Sequence, residues 1–259
     1  MILRRLGNKK KIAKKIQAYF PPHKIYIEPF FGAGGMFFNK PKAKYNIVND
    51  LDSDVFNLFQ VVMNQKEELE KAFYLMPIHS DLLDYWKKNL ETDPIKKALR
   101  FLLLSNFTLM GTGNTLSYGD GNTKNVLLKK TNLTFELLKN VWFNNTDFAS
   151  FLIVATAERV GAKKDIFIYA DPPYLDVDKK QNEVYKISTW SRDNVTSLFD
   201  TLQATKCRFA YSEFDNPFII QQANERGLNI IEIGERQNLK NRRTEILVTN
   251  YKTNQLKLF

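Results

Sequence analysis

The sequence predicts an α/β fold, in which a doubly wound sheet built from both ends of the chain is interrupted by a mainly helical insertion. Strand-like apolar runs, a Gly-rich turn and a helical pattern alternate over 24–63, and a similar alternation returns over 165–251. Between these regions, most apolar residues follow helical spacing. We therefore expect one discontinuous α/β domain at 1–63 and 142–259, and an inserted domain at 64–141.

The N-terminal part supplies two predicted strands and two predicted helices. The run "KIYIEPF" at 24–30 ends at a proline and the Gly-rich turn "FFGAGG", and "KYNIVNDLD" at 44–52 ends in acidic residues. Apolar side chains recur on one helical face over 54–63. They also do so over 9–20, where lysines occupy the remaining faces, so this segment is predicted to be an amphipathic helix with a basic outer face.

The C-terminal part continues the strand and helix alternation. Ser191 is a suitable N-cap for a helix whose buried face consists of Val195, Leu198, Phe199 and Leu202. Another helix begins at Pro217 and ends at Gly227. Strands are predicted over 165–171, 207–214, 229–235 and 245–251, and the last two are joined across the basic loop "RQNLKNRR".

The middle of the chain is predicted to be helical, with one long polar loop. Helices are expected over 66–76, 81–90 and 94–107. The loop at 111–125 is rich in Gly, Asn and Thr and is longer than an ordinary connection. Loops of this length are usually functional or disordered.

Charge and composition restrict the class of protein. Thirty-eight basic and 28 acidic residues give a net charge of +10, which favours a polyanionic partner, nucleic acid before an anionic membrane surface; a basic surface that serves only solubility is the alternative. No apolar run approaches the roughly 18 residues of a membrane span, and no signal peptide is recognisable. The single Cys207 predicts a reducing, cytoplasmic setting. His23 and His79 lack metal-ligand spacing, so no metal site is predicted.

Two strand ends indicate a ligand site, because ligands of open α/β sheets bind outside the carboxyl ends of the strands. In "EPFFGAGG", Gly32, Gly34 and Gly35 permit a tight turn and close approach of a ligand, although a plain strand-to-helix turn is the alternative. Asp50 ends the next strand, where an acid commonly accepts hydrogen bonds from ribose hydroxyls. Its alternative role is a helix N-cap, for which Asp52 is better placed. Together these features favour an adenosine-bearing ligand.

A third strand end carries the tetrapeptide Asp171-Pro172-Pro173-Tyr174. Proline fixes φ, lacks an N–H group and restricts the residue before it, so the Asp171 carboxylate and the Pro172 carbonyl form a rigid pair of acceptors. Such a pair suits the amino group of a nucleobase, and the Tyr174 ring offers a face on which the base can stack. A strand stop with a Pro-rich turn is the alternative.

These motifs resemble those of S-adenosylmethionine-dependent DNA adenine-N6 methyltransferases of the Dam type. "IEPFFGAGGMFFN" resembles the family's cofactor turn, and "DPPY" resembles its catalytic tetrapeptide. "LGNKKKI" at 6–12 resembles its N-terminal cofactor segment, "NNTDF" at 144–148 the segment that flanks the cofactor's adenine, and "TEILVTNY" its C-terminal strand. The order of the motifs also matches. The resemblance spans nearly the whole chain and is weakest over 65–140.

The resemblance implies a Rossmann-like methyltransferase sheet, S-adenosyl-L-methionine as cofactor, and a target-recognition role for the insertion. It implies that the target adenine is flipped out of double-stranded DNA, that Asp171 and the Pro172 carbonyl bind its N6 amine, and that Tyr174 stacks on the base. The implied cofactor-binding residues are Gly7, Asn8, Lys9, Glu28, Pro29, Phe30, Gly32, Gly34, Asp50, Asp147, Phe148 and Asp171.

Basic and polar residues near the expected catalytic end are candidates for contacting DNA, because Lys and Arg neutralise phosphates and Asn can read adenine edges. The candidates are Lys179, Lys180, Lys240, Asn241, Arg242 and Arg243, together with Asn114 and Asn122 in the polar loop. A solvated turn and mobile surface lysines are the alternatives. Dam-type enzymes that recognise GATC tend to carry an arginine in the central hairpin, and 105–122 contains none, so GATC specificity is not predicted.

The predicted function is therefore site-specific adenine-N6 methylation of double-stranded DNA. One alternative changes the acceptor to RNA adenine or to the N4 amine of cytosine, and another is a non-catalytic, cofactor-sensing DNA-binding subunit. The resemblance implies two settings: restriction–modification with a cognate restriction endonuclease, or the marking of phage and bacterial DNA.

Overall fold

The computed structural model describes residues 2–3, 8–117, 123–175, 190–237 and 242–253. Within these ranges, seven strands form one sheet, in the order β3-β2-β1-β4-β5-β7-β6. The strands are β1 (Ile25–Glu28), β2 (Tyr45–Asn49), β3 (Val141–Asn144), β4 (Ile166–Ala170), β5 (Arg208–Phe214), β6 (Asn229–Gln237) and β7 (Arg242–Thr249). The first five strands in this order are parallel, whereas β7 is antiparallel to both β5 and β6.

Helices cover both faces of this sheet. In the described ranges they are α1 (Ala13–Gln17), α2 (Ser53–Asn64), α3 (Lys66–Leu75), α4 (Ser80–Lys88), α5 (Pro94–Asn106), α6 (Thr123–Leu138), α7 (Phe148–Ala155), α8 (Arg192–Ala204) and α9 (Pro217–Glu225). No helix in this part of the chain is long and apolar enough to cross a membrane.

The alternation of side chains along β4 shows how the two layers are built. Every residue of this central strand is buried; Ile166 and Ile168 face one apolar cluster, whereas Phe167 and Tyr169 face the other. The first cluster is covered by α7, α8 and α9, and the second by α1, α2 and the helices of the middle segment. The sheet is therefore doubly wound, as the sequence predicts.

The middle helices pack against α2 rather than standing apart from the α/β layers. Arg100 of α5 is 4% exposed, donates from Nε to the carbonyl oxygens of Trp86 and Asn89 at 2.8 and 3.0 Å, and lies 3.6 Å from Asp54. Lys97 lies 3.1 Å from Ser53 Oγ. The division into domains at 64 and 141 stays a prediction.

Three local features differ from the sequence-based expectation. The helix expected over 9–20 is a 3-10 turn at Lys9–Lys11 followed by the short α1. Helices α6 and α7 and the edge strand β3 have no counterpart among the predicted elements. The hairpin strands β6 and β7 extend into the expected basic loop, because Arg236 pairs with Arg243 and Gln237 pairs with Arg242.

The aromatic cluster beneath the Gly-rich turn should contribute strongly to stability. The Phe59 side chain on α2 is fully buried, with its ring centroid 5.0 Å from that of Phe31 and 5.6 Å from that of Phe143. We expect Phe59→Ala to lower the free energy of unfolding by about 3–5 kcal/mol, since lost burial and a residual cavity both contribute. Urea denaturation measures this, with the exposed Lys71→Ala on α3 as the control. A loss below about 1 kcal/mol would contradict the role of this cluster.

Candidate active site

The candidate site lies at the carboxyl edge of the sheet, where the three central parallel strands end side by side. Ile27 of β1 is level with Ile47 of β2 and with Ile168 of β4. The Gly-rich turn, Asp50 and Asp171 follow these strands directly. The parallel register therefore brings the three strand-end motifs of the sequence to one edge.

The Gly-rich turn needs its glycines for two different reasons. Gly32 and Gly34 have φ of +54° and +70°, a region that disfavours side chains. A Cβ on Gly34 would come within 2.3 Å of the Phe38 ring, whereas a Cβ on Gly32 would meet no atom of the described residues within 4 Å. A Cβ on Gly35 would come within 2.4 Å of Asn8 Oδ1. The turn thus packs tightly against the N-terminal segment and is open at Gly32.

Asp50 holds the Gly-rich turn from the neighbouring strand. Its carboxylate accepts hydrogen bonds from the Gly32 N–H at 2.5 Å and from the Asp52 N–H at 2.9 Å. Asp52 is the N-cap of α2 and accepts from the Asp54 N–H at 2.9 Å, which confirms the expected cap. The ribose-binding role of Asp50 stays a prediction.

An aromatic group and one acid lie beside the turn. Asp147 caps α7 by accepting from the Ser150 N–H at 2.9 Å, and this backbone hydrogen bond lowers the pKa of the exposed Asp147 carboxyl. The Phe148 ring centroid lies 5.7 Å from that of Phe30 and 5.9 Å from that of Trp190. Both Phe148 and Phe30 are half-buried. The sequence motifs did not indicate Trp190 as a member of this group.

Asn49 connects the same region and was missed by sequence reasoning. It is buried at the end of β2, where its side-chain amide donates to the carbonyl oxygens of Pro29 and Thr146 at 3.1 and 3.0 Å. Its Oδ1 accepts from the Thr146 N–H at 3.1 Å. The segments before Asp147 and around Pro29 are thereby tied to one side chain.

The Asp-Pro-Pro-Tyr tetrapeptide meets Lys9, which is 2% exposed. The Lys9 ammonium donates to Asp171 Oδ1 at 2.7 Å, contacts the Tyr174 hydroxyl, and lies 3.1 Å from Glu245 Oε1. The Tyr174 hydroxyl donates to Glu245 Oε1 at 2.5 Å. The Asp171 side chain is 20% exposed and the Pro172 residue is buried. Lys9 and Glu245 thus extend the predicted acceptor pair into a buried charged network.

Further buried carboxyl groups surround this network. Glu28, at the end of β1, accepts a hydrogen bond from the Tyr26 hydroxyl at 2.7 Å. Burial raises the pKa of Glu28 to about 8. The hydrogen bond from Tyr26 lowers this pKa, whereas the negative charge of Asp171 raises it further. Burial likewise raises the pKa of Glu213 on β5. Local sequence patterns do not single out Glu213 or Glu245, because their partners are distant in the chain.

The candidate DNA-contacting residues are only partly described. Arg242 is exposed and lies 3.6 Å from Glu235, while the Arg243 guanidinium lies 4.9 Å from the centroid of the Phe214 ring. The Phe214 ring packs edge-on against Tyr174 at 4.7 Å, so β7 begins close to the tetrapeptide. Asn114 is exposed. The remaining DNA-contacting candidates lie outside the described residues: Asn122, Lys179, Lys180, Lys240 and Asn241. The predicted cofactor residue Gly7 also lies outside them.

Among the residues that the structure describes, no group of three or more His, Cys, Asp or Glu side chains could hold a metal ion. The charged groups at the sheet edge are instead paired through hydrogen bonds and the Lys9 ammonium.

The raised pKa of Glu28 predicts a pH-dependent stability. Because the folded-state pKa of about 8 exceeds the ordinary 4.5, the folded protein binds more protons than the unfolded chain between these values, and stability falls as pH rises through this window. Glu28→Gln cannot ionise, so its melting temperature should exceed that of the wild type at pH 8 by more than at pH 5. Thermal unfolding at both pH values measures this. Equal differences at both pH values would contradict it.

Comparisons with known proteins agree with this geometry. Residues 6–255 match the family model described as D12 class N6 adenine-specific DNA methyltransferase. The DNA adenine methylase of Haemophilus influenzae is 29% identical over 187 residues, which cover 68% of this chain and 64%, a little under two thirds, of that enzyme. The DNA adenine methylase of Vibrio cholerae O395 is 25% identical, over 77% of this chain and 74% of its own.

The solved structure of a human methyltransferase 10 domain containing protein has 10% identity and a TM-score of 0.43, over 95% of this chain and 82% of its own. The observed strand order, with β7 antiparallel between β5 and β6, fits the class I methyltransferase fold. The prediction of a Dam-type adenine methyltransferase is confirmed at the level of the family. The chain belongs to the D12 class of N6 adenine-specific DNA methyltransferases.

Proposed function

We propose that this chain transfers a methyl group from S-adenosylmethionine to the N6 amine of a flipped adenine in double-stranded DNA. The observation that supports this most is the adjacency of β1 and β4, which are paired in parallel. The Gly-rich turn follows β1 and the Asp-Pro-Pro-Tyr tetrapeptide follows β4. A cofactor turn and an acceptor for an amine therefore open at the same edge.

Residues of the site fit S-adenosylmethionine. The open face at Gly32 admits a ligand, the half-buried Phe30 and Phe148 rings offer surfaces for an adenine, and the acids near them suit hydroxyl and cationic groups. The residues that would hold it are Asn8, Lys9, Glu28, Pro29, Phe30, Gly32, Gly34, Asp50, Asp147, Phe148 and Asp171. When bound, the cofactor supplies an electrophilic methyl group.

The tetrapeptide would orient the acceptor nitrogen. The Asp171 carboxylate and the Pro172 carbonyl accept hydrogen bonds from the two N–H groups of the adenine amine. The nitrogen lone pair is then directed away from these two acceptors. Tyr174 stacks on the base and limits its rotation. Rate enhancement then comes from positioning and from a preorganised electrostatic environment. Base flipping brings the amine to these groups, because it is inaccessible within a stacked duplex.

We further infer that the middle segment at 64–141 recognises the target sequence. Helix α5 runs antiparallel to α2: Pro94 contacts Asn57, whereas the later Lys97 and Arg100 lie against Asp54. Helix α2 starts at the carboxyl edge, so the end of α5 and the described residues 111–117 after it lie on the side of the candidate site. Asn114, exposed in this loop, is suited to contact a base edge.

Asp171 provides the direct test of catalysis. Asp171→Ala removes one acceptor of the amine, and we expect the rate of labelled methyl transfer to unmethylated duplex DNA to fall by about 10²–10³-fold. Asp165→Ala, which changes an acid just before the opposite end of β4, is the control and should retain activity. A wild type as inert as Asp171→Ala, with DNA binding intact, would favour the non-catalytic DNA-binding alternative.

The same assay can separate the remaining possibilities of substrate and setting. RNA and cytosine-only substrates test the alternative acceptors. Sequencing that detects N6-methyladenine would identify the methylated context in DNA from cells expressing the chain. We propose a DNA-associated enzyme for restriction–modification or DNA marking, and resistance of the methylated context to a nuclease encoded beside this chain would identify a cognate restriction endonuclease.

Arg242 should contribute a phosphate contact at the candidate DNA surface. Each phosphate contact releases counterions, so Arg242→Ala should weaken binding and reduce the slope of log affinity against log salt concentration by about 1. Binding titrations at several salt concentrations measure this. Lys252→Ala, an exposed base beyond the opposite end of β7, is the control. An unchanged slope for Arg242→Ala would remove Arg242 from the DNA surface.

A further inference from the structure

Glu245 is a buried carboxylate at the point of β7 where the polar residues Arg242, Arg243 and Thr244 give way to a buried apolar run. It is 0% exposed, on β7, and is followed by buried Ile246, Leu247 and Val248. Burying a carboxylate is costly unless it is paired and hydrogen-bonded, and an apolar side chain would serve the strand better. We therefore expect the Glu245 carboxylate to be stabilised by specific hydrogen bonds or an ion pair.

The Glu245 carboxylate joins Tyr174 to the sheet. Its Oε1 accepts from the Tyr174 hydroxyl at 2.5 Å and from the Ser212 hydroxyl at 2.6 Å, and it lies 3.1 Å from the Lys9 ammonium. Ser212 is on β5, which pairs directly with β7. Hydrogen bonds to a charged acceptor are stronger than neutral ones. The tyrosine hydroxyl is thus anchored to two rigid neighbouring strands.

A second carboxylate holds the backbone that follows the tetrapeptide. Glu213 Oε2 accepts from the Leu175 N–H at 3.2 Å and from the Tyr211 hydroxyl at 3.4 Å. Successive residues of a strand point to opposite faces of the sheet, so Ser212 and Glu213 act on different sides of β5. The backbone after Tyr174 and the far end of its ring are therefore fixed separately.

We propose that Glu245 is a positioning residue that fixes the ring of Tyr174 for stacking on the target base. The two prolines restrict the backbone before the tyrosine, but they leave its side-chain torsions χ1 and χ2 to be set. Anchoring the hydroxyl fixes both torsions, while the edge-on contact with Phe214 supports one side of the ring. This inference rests on the proposed function, since the oriented ring matters only if a base stacks there.

A double-mutant cycle tests the proposal. Tyr174→Phe keeps the ring and removes the anchored hydroxyl, and Glu245→Ala removes the anchor. Each should lower the single-turnover rate of methyl transfer to unmethylated duplex DNA by about 10–100-fold, with cofactor binding changed less than about threefold, since misplacement acts on the chemical step. The double variant should be no more than about threefold slower than either single variant.

Conservative variants and controls make the result specific. Glu245→Gln keeps an acceptor for the hydroxyl and should recover part of the rate lost in Glu245→Ala. Thr249→Val, at the far end of the same strand, removes another buried hydroxyl and should leave the rate unchanged. A wild-type rate in Tyr174→Phe, or an equal loss from Glu245→Ala in both backgrounds, would overturn the proposal. If Glu245→Ala does not fold, Glu245→Leu, which also lacks an acceptor for the hydroxyl but fills more of the space, completes the same cycle.

A readout without catalysis separates this inference from the proposed function. NMR of protein with labelled tyrosines, with Tyr174 assigned through Tyr174→Phe, reports the mobility of its ring. We expect the ring signals to show restricted motion in the wild type and faster ring flips in Glu245→Ala. Equal ring mobility in the wild type and Glu245→Ala would overturn the anchoring. Faster ring flips in Glu245→Ala than in the wild type, together with a wild type that methylates no substrate, would support the anchoring and remove the proposed function.

Discussion

The buried ammonium of Lys9 is the interaction on which the candidate site depends. It is shared by Asp171 at 2.7 Å and Glu245 at 3.1 Å, and it approaches the Tyr174 hydroxyl. Without a cation, the buried Glu245 carboxylate would cost several kcal/mol in desolvation, and it would repel the partly exposed Asp171 carboxylate. Lys9 therefore makes it possible to keep both acids at the sheet edge. The N-terminal segment, the tetrapeptide and the last strand consequently have to assemble together.

The sheet supplies the rigid frame for this assembly. Parallel pairing of β1, β2 and β4 forces the residues after these strands to emerge side by side. The antiparallel β7, inserted between β5 and β6, brings Glu245 beside Phe214 at the same edge. In the tetrapeptide that follows β4, the Asp171 carboxylate is held by Lys9, and the Tyr174 side chain is held by Glu245 and Phe214. Mixed topology is what allows a residue late in the chain to support the tetrapeptide.

Local sequence signals predicted those parts of the molecule that depend on neighbours in the chain. The strand ends, the cap at Ser191 and the Gly-rich turn were all found, because capping, turn chemistry and apolar periodicity are short-range. Helix α6 was missed because threonines and lysines dilute its apolar pattern, and β3 because it is a four-residue edge strand with an exposed Trp142. The pairing of Lys9 with Asp171 was missed because the two residues are 162 positions apart in the chain.

If Asp171 accepts the target amine as proposed, its contact with Lys9 also constrains how that amine binds. An ionised carboxylate has about four lone-pair directions on its two oxygens, so it can accept from an ammonium and from an amine together. The ammonium on Oδ1 fixes the plane of the carboxylate, which would otherwise rotate about its terminal torsion. A fixed plane next to the rigid Pro172 carbonyl defines one orientation for a planar amine. The two prolines restrict only the backbone of the tetrapeptide. Lys9 additionally restricts the orientation of the Asp171 carboxylate.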